Sequence, residues 1–203
     1  MSTPERRAFI GTIEARAEGD NMPTEITGVA AITNSVTDLG FAEEVIMDGA
    51  FDAALGDDVR VLGNHDANIV LGRTKSGTAK LFVNADGSLG YSFTPDYQNP
   101  IHMAWVRSIM RGDVSQSSFA FTIAEGGGRW VESAKYGPMG KREITNIKNL
   151  YDVSPVTYPA YADTSVSARD LEAAKYEREI IAAEESKASA DVVALALARY
   201  KNY

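Results

Sequence analysis

A chain of 203 residues, 44% hydrophobic and 24% charged, has the makeup of a folded globular protein with a core of its own. Its net charge of −8 argues against a general nucleic-acid binder, which needs a basic face, and no apolar run nears the ~20 residues that span a bilayer. The absence of cysteine excludes disulfides, iron–sulfur clusters and thiol catalysis, and with two histidines, His65 and His102, any imidazole base is one of those two.

Short strands separated by turns are predicted for the first two-thirds of the chain. In "RAFIGTIEARA", Phe9 and Ile13 fall on one face and Thr12 and Glu14 on the other, with Ile10 out of step. "EITGVAAITNSV" is rich in β-branched residues and closes in the loop "NSVTDLG". In "EEVIMDGAFDAALGDD", Asp48 is a candidate N-cap for a short helix over 50–55, stopped by Gly56. "VRVLGNH" predicts a strand ending at His65, and "NIVLGRTKSGTAKLFVNADGSLGYSFTP" a meander punctuated at "KSG" and "ADGS". Over 99–112, Ile101, Trp105 and Ile109 recur at helical spacing and Gly112 supplies the stop. His102 lies inside that helix, beside the apolar stripe, and reads as an ordinary packed or solvated residue.

"EGGGR" predicts a hairpin turn. "REITNIKNLYDVSPVTYPAYADTSV" is strand-like until Pro155 and Pro159 interrupt it. Past Ser167 the composition shifts to Ala, Glu and Lys, which predicts one or two helices broken near "ESKASAD". Ser189 or Asp191 would cap the second, with Val193, Leu197 and Tyr200 as its apolar stripe. The resulting division is a β domain over 1–167 and a helical segment over 168–203 that packs on that domain or binds a partner.

The nucleotide-loop pattern G-x-x-x-x-G-K-[ST], the G-x-S-x-G elbow and H-E-x-x-H are all absent. What remains is a Ser–His–acid set. Serine needs a base in hydrogen-bond reach, and the base needs a third group to orient it. His65 ends a strand before a turn, where an imidazole projects from a rigid frame. In "RGDVSQSSFAF" strand alternation sorts the serines: Phe119, Phe121 and Ile123 share a face with Ser115 and Ser117, whereas Ser118 shares the other with Ala120 and Thr122. Burial of the phenylalanines leaves Ser118 on a small-residue face open to close approach, so it is the better nucleophile; an ordinary strand hydroxyl has the same pattern. Glu44, Asp66, Glu143 and Asp152 remain as candidate acids. Asp152, between Tyr151 and Val153, needs a dedicated partner if it is buried, whether its role is catalytic or structural.

Four blocks, "EVIMDGAFDAAL", "VRVLGNHDANIVLGRTKSGTAKLF", "RGDVSQSSFAF" and "LYDVSPVTYPAYADTSV", taken in this order, resemble the prohead (capsid-maturation) proteases of tailed bacteriophages. Those enzymes are related in fold to the herpesvirus assembly protease. The resemblance runs from about Gly28 to Ser165. It departs at Asp48, where the family often has proline, and at Asp152, where it often has glutamate. It implies a serine endopeptidase on a closed, mainly antiparallel β-barrel with peripheral helices. By the family's pattern His65 is the base, Ser118 the nucleophile and Asp152 the acid, with Glu143 the other acid to be tested against it. Arg142 is a candidate assistant to an oxyanion hole built from backbone N–H groups. The implied substrates are scaffolding protein or scaffolding segments of the major capsid protein, cut inside the prohead assembling in the host cytoplasm, with self-cleavage and without a metal, cofactor, nucleic-acid or membrane partner. A homo-oligomer is compatible with this reading. The alternative is a proteolytically silent capsid-assembly or scaffolding module.

Overall fold

A computed structural model describes residues 4–9, 13–15, 22–158 and 168–200. The strands are β1 (Glu5–Phe9), β2 (Ile13–Ala15), β3 (Ile26–Ala31), β4 (Val36–Asp38), β5 (Glu43–Ile46), β6 (Arg60–Leu62), β7 (Val70–Arg73), β8 (Ala79–Val83) and β9 (Leu89–Phe93), followed by β10 (Gln116–Ile123), β11 (Gly128–Ser133), β12 (Gly137–Ile144) and β13 (Ile147–Val156). Helix α1 (Pro100–Met110) lies between β9 and β10, and α2 (Ala168–Tyr200) follows β13. Ile10, Thr12 and Pro159, on which part of the sequence reading rests, lie outside the described residues.

The described residues are mainly β with two α-helices, as expected, but the closed antiparallel barrel is not what the strands form. Among the described residues they make three open sheets, ordered β1-β10-β13-β6-β7, β2-β3-β9-β8 and β11-β12-β5-β4, and none closes on itself. Two of the pairings are parallel, β13 with β6 and β12 with β5. The meander expected over 68–95 is divided for the same reason: β7 pairs with β6, whereas β8 and β9 pair with each other in the neighbouring sheet. "EGGGR" is a turn, but it carries the chain from β10 to β11 in different sheets, so it closes no hairpin.

One continuous core joins the sheets. Phe119 and Phe121 of β10 are fully buried and stacked, with ring centroids 4.9 Å apart, and Phe51 meets Phe119 edge-on at 5.6 Å. Ile26, Leu71, Leu89, Phe93, Ile144 and Val153 pack around them. Burying side chains of this size stabilises the fold by about 1.5–3 kcal/mol each before entropy is subtracted.

Helix α1 begins and ends where its sequence dictates. The Asn99 side chain accepts a hydrogen bond from the Ile101 N–H at 2.9 Å, Pro100 takes the first turn, and Gly112 adopts φ +81° beyond the end. Its packed face runs through Val106 and Ile109, whereas Ile101 is exposed. The predicted helix over 50–55 shrinks to a 3₁₀ turn at Asp52–Ala54 with no side-chain cap. Asp48 does not cap it, because its carboxylate accepts from the adjacent Gly49 N–H instead.

Pro155 does not end β13. The ladder with β6 reaches only Val153, so the missing N–H breaks nothing on that side, and the strand continues to Val156. Helix α2 is continuous through "ESKASAD", so neither Ser189 nor Asp191 starts a second helix. Its first turns dock through Ala174, which is buried, and through Arg178, which donates to the Phe41 carbonyl at 3.0 Å. No helix among the described residues is long and apolar enough to cross a membrane.

Candidate active site

Three adjacent strands of the first sheet, β10, β13 and β6, converge on one small cluster of side chains. β10 is an interior strand paired with β1 on one edge and β13 on the other, and its residues from Ser117 to Thr122 are buried on both faces. The face predicted to be apolar carries Phe119 and Phe121 into the core. Ser117 lies on that side too, and its hydroxyl pairs with the buried Tyr91 phenol at 2.9 Å. Burial pushes the Tyr91 phenol well above its ordinary range, so it is a neutral hydrogen-bonding partner. Ser118 points to the other face with Ala120 and is 2% exposed.

β13 runs antiparallel to β10 with Ser118 opposite Ser154 and Ala120 opposite Asp152. Residues two apart on a strand share a face, so Asp152, Ser154, Ser118 and Ala120 form one patch. Parallel pairing of β6 with β13, Asp152 beside Arg60 and Val153 beside Val61, then sends the end of β6 over this patch. Gly63 leads into a tight turn in which Asn64 and His65 both have positive φ, +54° and +57°. Asparagine and histidine both enter that region more readily than most residues, but two in succession are a strained conformation that the surroundings must impose. Asn64 does much of the imposing. Its N–H donates to the Pro155 carbonyl at 3.0 Å, its Oδ1 accepts the Thr157 N–H at 2.8 Å, and its Nδ2 donates to Thr157 Oγ1 at 3.2 Å.

The turn places the His65 imidazole between Ser118 and Asp152. His65 Nε2 lies 2.6 Å from Ser118 Oγ, and His65 Nδ1 lies 2.5 Å from Asp152 Oδ1. A carboxylate only accepts, so Nδ1 carries the proton toward Asp152, and Nε2 is left as the acceptor for the Ser118 O–H. The imidazole and carboxylate side chains are 14% and 9% exposed, so the charge pair that would follow proton transfer is shielded from bulk water. Chemically, the arrangement can deprotonate the serine, hold the resulting imidazolium against the carboxylate, and return the proton to a leaving group.

The other candidates are placed elsewhere. Glu143 of β12 faces Lys141 and Arg129, which hold its carboxyl below the usual carboxylate range. Asp66 accepts from the N–H and Nδ2 of Asn68, and Glu44 meets Arg142 at 3.2 Å. Arg142, the candidate oxyanion assistant, is committed to carboxylates: Glu5 at 2.8 Å, Glu44, and Glu177 of α2. Burial works against its charge, but those three glutamates outweigh burial and hold the guanidinium protonated. His102 spends both ring nitrogens on the fold, accepting the Asp96 N–H at 3.0 Å and donating to the Val70 carbonyl at 2.8 Å. Sequence reasoning passed over Asn64 and Ser154. An asparagine before the histidine, and a serine two residues after the acid on the same strand face, were the available signals.

A family model described as caudovirus prohead serine protease matches residues 11–179, a span that contains His65, Ser118 and Asp152 and ends within α2. No curated protein and no solved structure matches the chain.

Proposed function

The chain belongs to the caudovirus prohead serine protease family, and from that premise we propose that Ser118, His65 and Asp152 are the nucleophile, base and orienting acid of its peptidase site. The observation that carries the assignment is the single imidazole with one nitrogen on Ser118 Oγ and the other on Asp152 Oδ1. His65 takes the Ser118 proton as Oγ attacks the scissile carbonyl, and Asp152 stabilises the imidazolium. The proton passes to the departing amine, an acyl-enzyme remains, and a water activated by the same His65 hydrolyses it. Backbone N–H groups supply the oxyanion site, a contribution worth about 3–4 kcal/mol where one such donor has been removed in other enzymes.

The substrates in this proposal are scaffolding protein or the scaffolding segment of the major capsid protein, cut within the assembling prohead, with cleavage of the enzyme's own chain as a further event. Family membership supports the setting. The test is co-expression with the capsid and scaffolding proteins, followed by gel analysis and terminal sequencing of products. Ser118→Ala and His65→Ala should stop processing while His102→Ala preserves it. Full processing by Ser118→Ala would overturn the assignment.

A further inference from the structure

Asp152 Oδ1 receives two contacts, and only one of them comes from the histidine. Ser154 Oγ donates to the same oxygen at 2.7 Å. Ser154 is completely buried, and it sits directly across the β10–β13 ladder from Ser118. Side chains facing each other in such a ladder lie roughly 5 Å apart at Cβ. The four groups therefore form a compact quadrilateral: nucleophile, imidazole, carboxylate and a second serine beneath them. A buried hydroxyl costs stability unless it is hydrogen-bonded, and here its donor is spent on the carboxylate.

We propose that Ser154 is a positioning residue of this site, holding the Asp152 carboxylate in the rotamer and charge state that orient His65. The proposal rests on the peptidase reading above. A carboxylate held by the imidazole alone is free to turn about its own axis; the Ser154 contact pins Oδ1 from two residues further along the same strand. Its donation also withdraws basicity from that oxygen, so the proton shared with His65 Nδ1 stays on the imidazole. Asp152 lies opposite Ala120, which offers no side-chain donor, and the neighbouring Asp66 is engaged by Asn68. Arg60, beside Asp152 across the β6–β13 pairing, is engaged by Asp58; the imidazole is held by Ser118 from β10 and Asp152 from β13, and Ser154 acts on it through the latter.

Removing the hydroxyl leaves a more basic carboxylate. The imidazolium is then held more tightly, and the acid limb of the pH–rate profile moves to higher pH. A merely structural serine would change thermal stability without moving that limb. The experiment uses the full chain and a fluorophosphonate that labels activated serines, so no peptide sequence needs to be known. Labelling rate is followed against pH, and the modified residue is located by mass spectrometry. Ser154→Ala should slow labelling about 10-fold at neutral pH and raise the acid limb by about half a pH unit or more. Ser154→Cys, nearly the same size with a weak donor, should fall between Ala and wild type. Wild-type labelling at Ser118 combined with an unmoved profile in Ser154→Ala overturns this proposal alone. Wild-type protein labelled no faster than Ser118→Ala overturns the peptidase reading, and this proposal with it.

Discussion

Asn64 is where the geometry of the site is most exposed to a single substitution. It holds φ +54° immediately before His65 at φ +57°, and it bridges to Thr157 by two side-chain hydrogen bonds. Asn64→Ala and Asn64→Gly both delete those bonds but keep the N–H donation to Pro155. The bonds lie at an exposed position, so their loss should cost about 0.5–1 kcal/mol each. Alanine must also occupy the left-handed region, adding about 1–2 kcal/mol, whereas glycine adopts it freely. The sums are about 2–4 kcal/mol for Asn64→Ala and about 1–2 kcal/mol for Asn64→Gly. Both loosen the turn that carries the imidazole, and a displacement near 1 Å costs up to about 10²-fold in rate. Equilibrium urea unfolding followed by tryptophan fluorescence gives the first quantity, and processing of a co-expressed capsid protein gives the second. Alanine as stable as glycine, or wild-type rates in both variants, would refute the argument that strain and two hydrogen bonds set the position of His65.

A Cβ built on Gly63 lies 2.5 Å from the Trp105 ring and 2.7 Å from Ile69 Cγ2. Gly63→Ala should therefore cost about 1–3 kcal/mol, lower activity and alter Trp105 fluorescence, while Gly56→Ala, with nothing within 4 Å, should leave all three unchanged. Arg142→Ala strands three carboxylates around a vacated, nearly buried position, and calorimetry should show a loss of about 3–5 kcal/mol. Glu177→Gln should be far milder. Burial raises the Glu177 carboxyl above its ordinary range against the pull of Arg142, so the docked helix favours the protonated form and gains stability as pH falls through that raised value. The glutamine variant should lose this acid-side gain in a series of melting temperatures against pH, while matching or exceeding wild type near neutrality.

Local chemistry made much of this protein legible in its sequence. Alternation across "SQSSFAF" separates Ser118 from Ser117 because strand geometry puts neighbouring residues on opposite faces, and the placement of Phe119 and Phe121 in the core agrees with that choice. Asn99, Pro100 and Gly112 bound α1 for reasons contained within a few residues. Where neighbours decide, the local reading failed. Asp48 found a closer donor than a helix terminus, Pro155 met no partner that needed its N–H, and the meander was divided between two sheets.

The choice among four acids shows the limit most clearly. Glu143 and Asp152 lie on consecutive strands, each beside a β-branched apolar residue, Ile144 and Val153, and no periodicity distinguishes them. β12 pairs with β5 and β11, where Lys141 and Arg129 claim Glu143; β13 pairs with β10 and β6, where Asp152 meets His65 and Ser154. The strand face that carries Ser118 and the ends of α1 follow from interactions between residues close in the chain, and the sequence by itself determines them. The contact of Asp152 with His65, the strained turn beneath the imidazole and the open sheets depend on strand order and register. Those are set by contacts between residues far apart in the chain, 87 positions for His65 and Asp152 and 93 for Asn64 and Thr157, which only the tertiary structure decides.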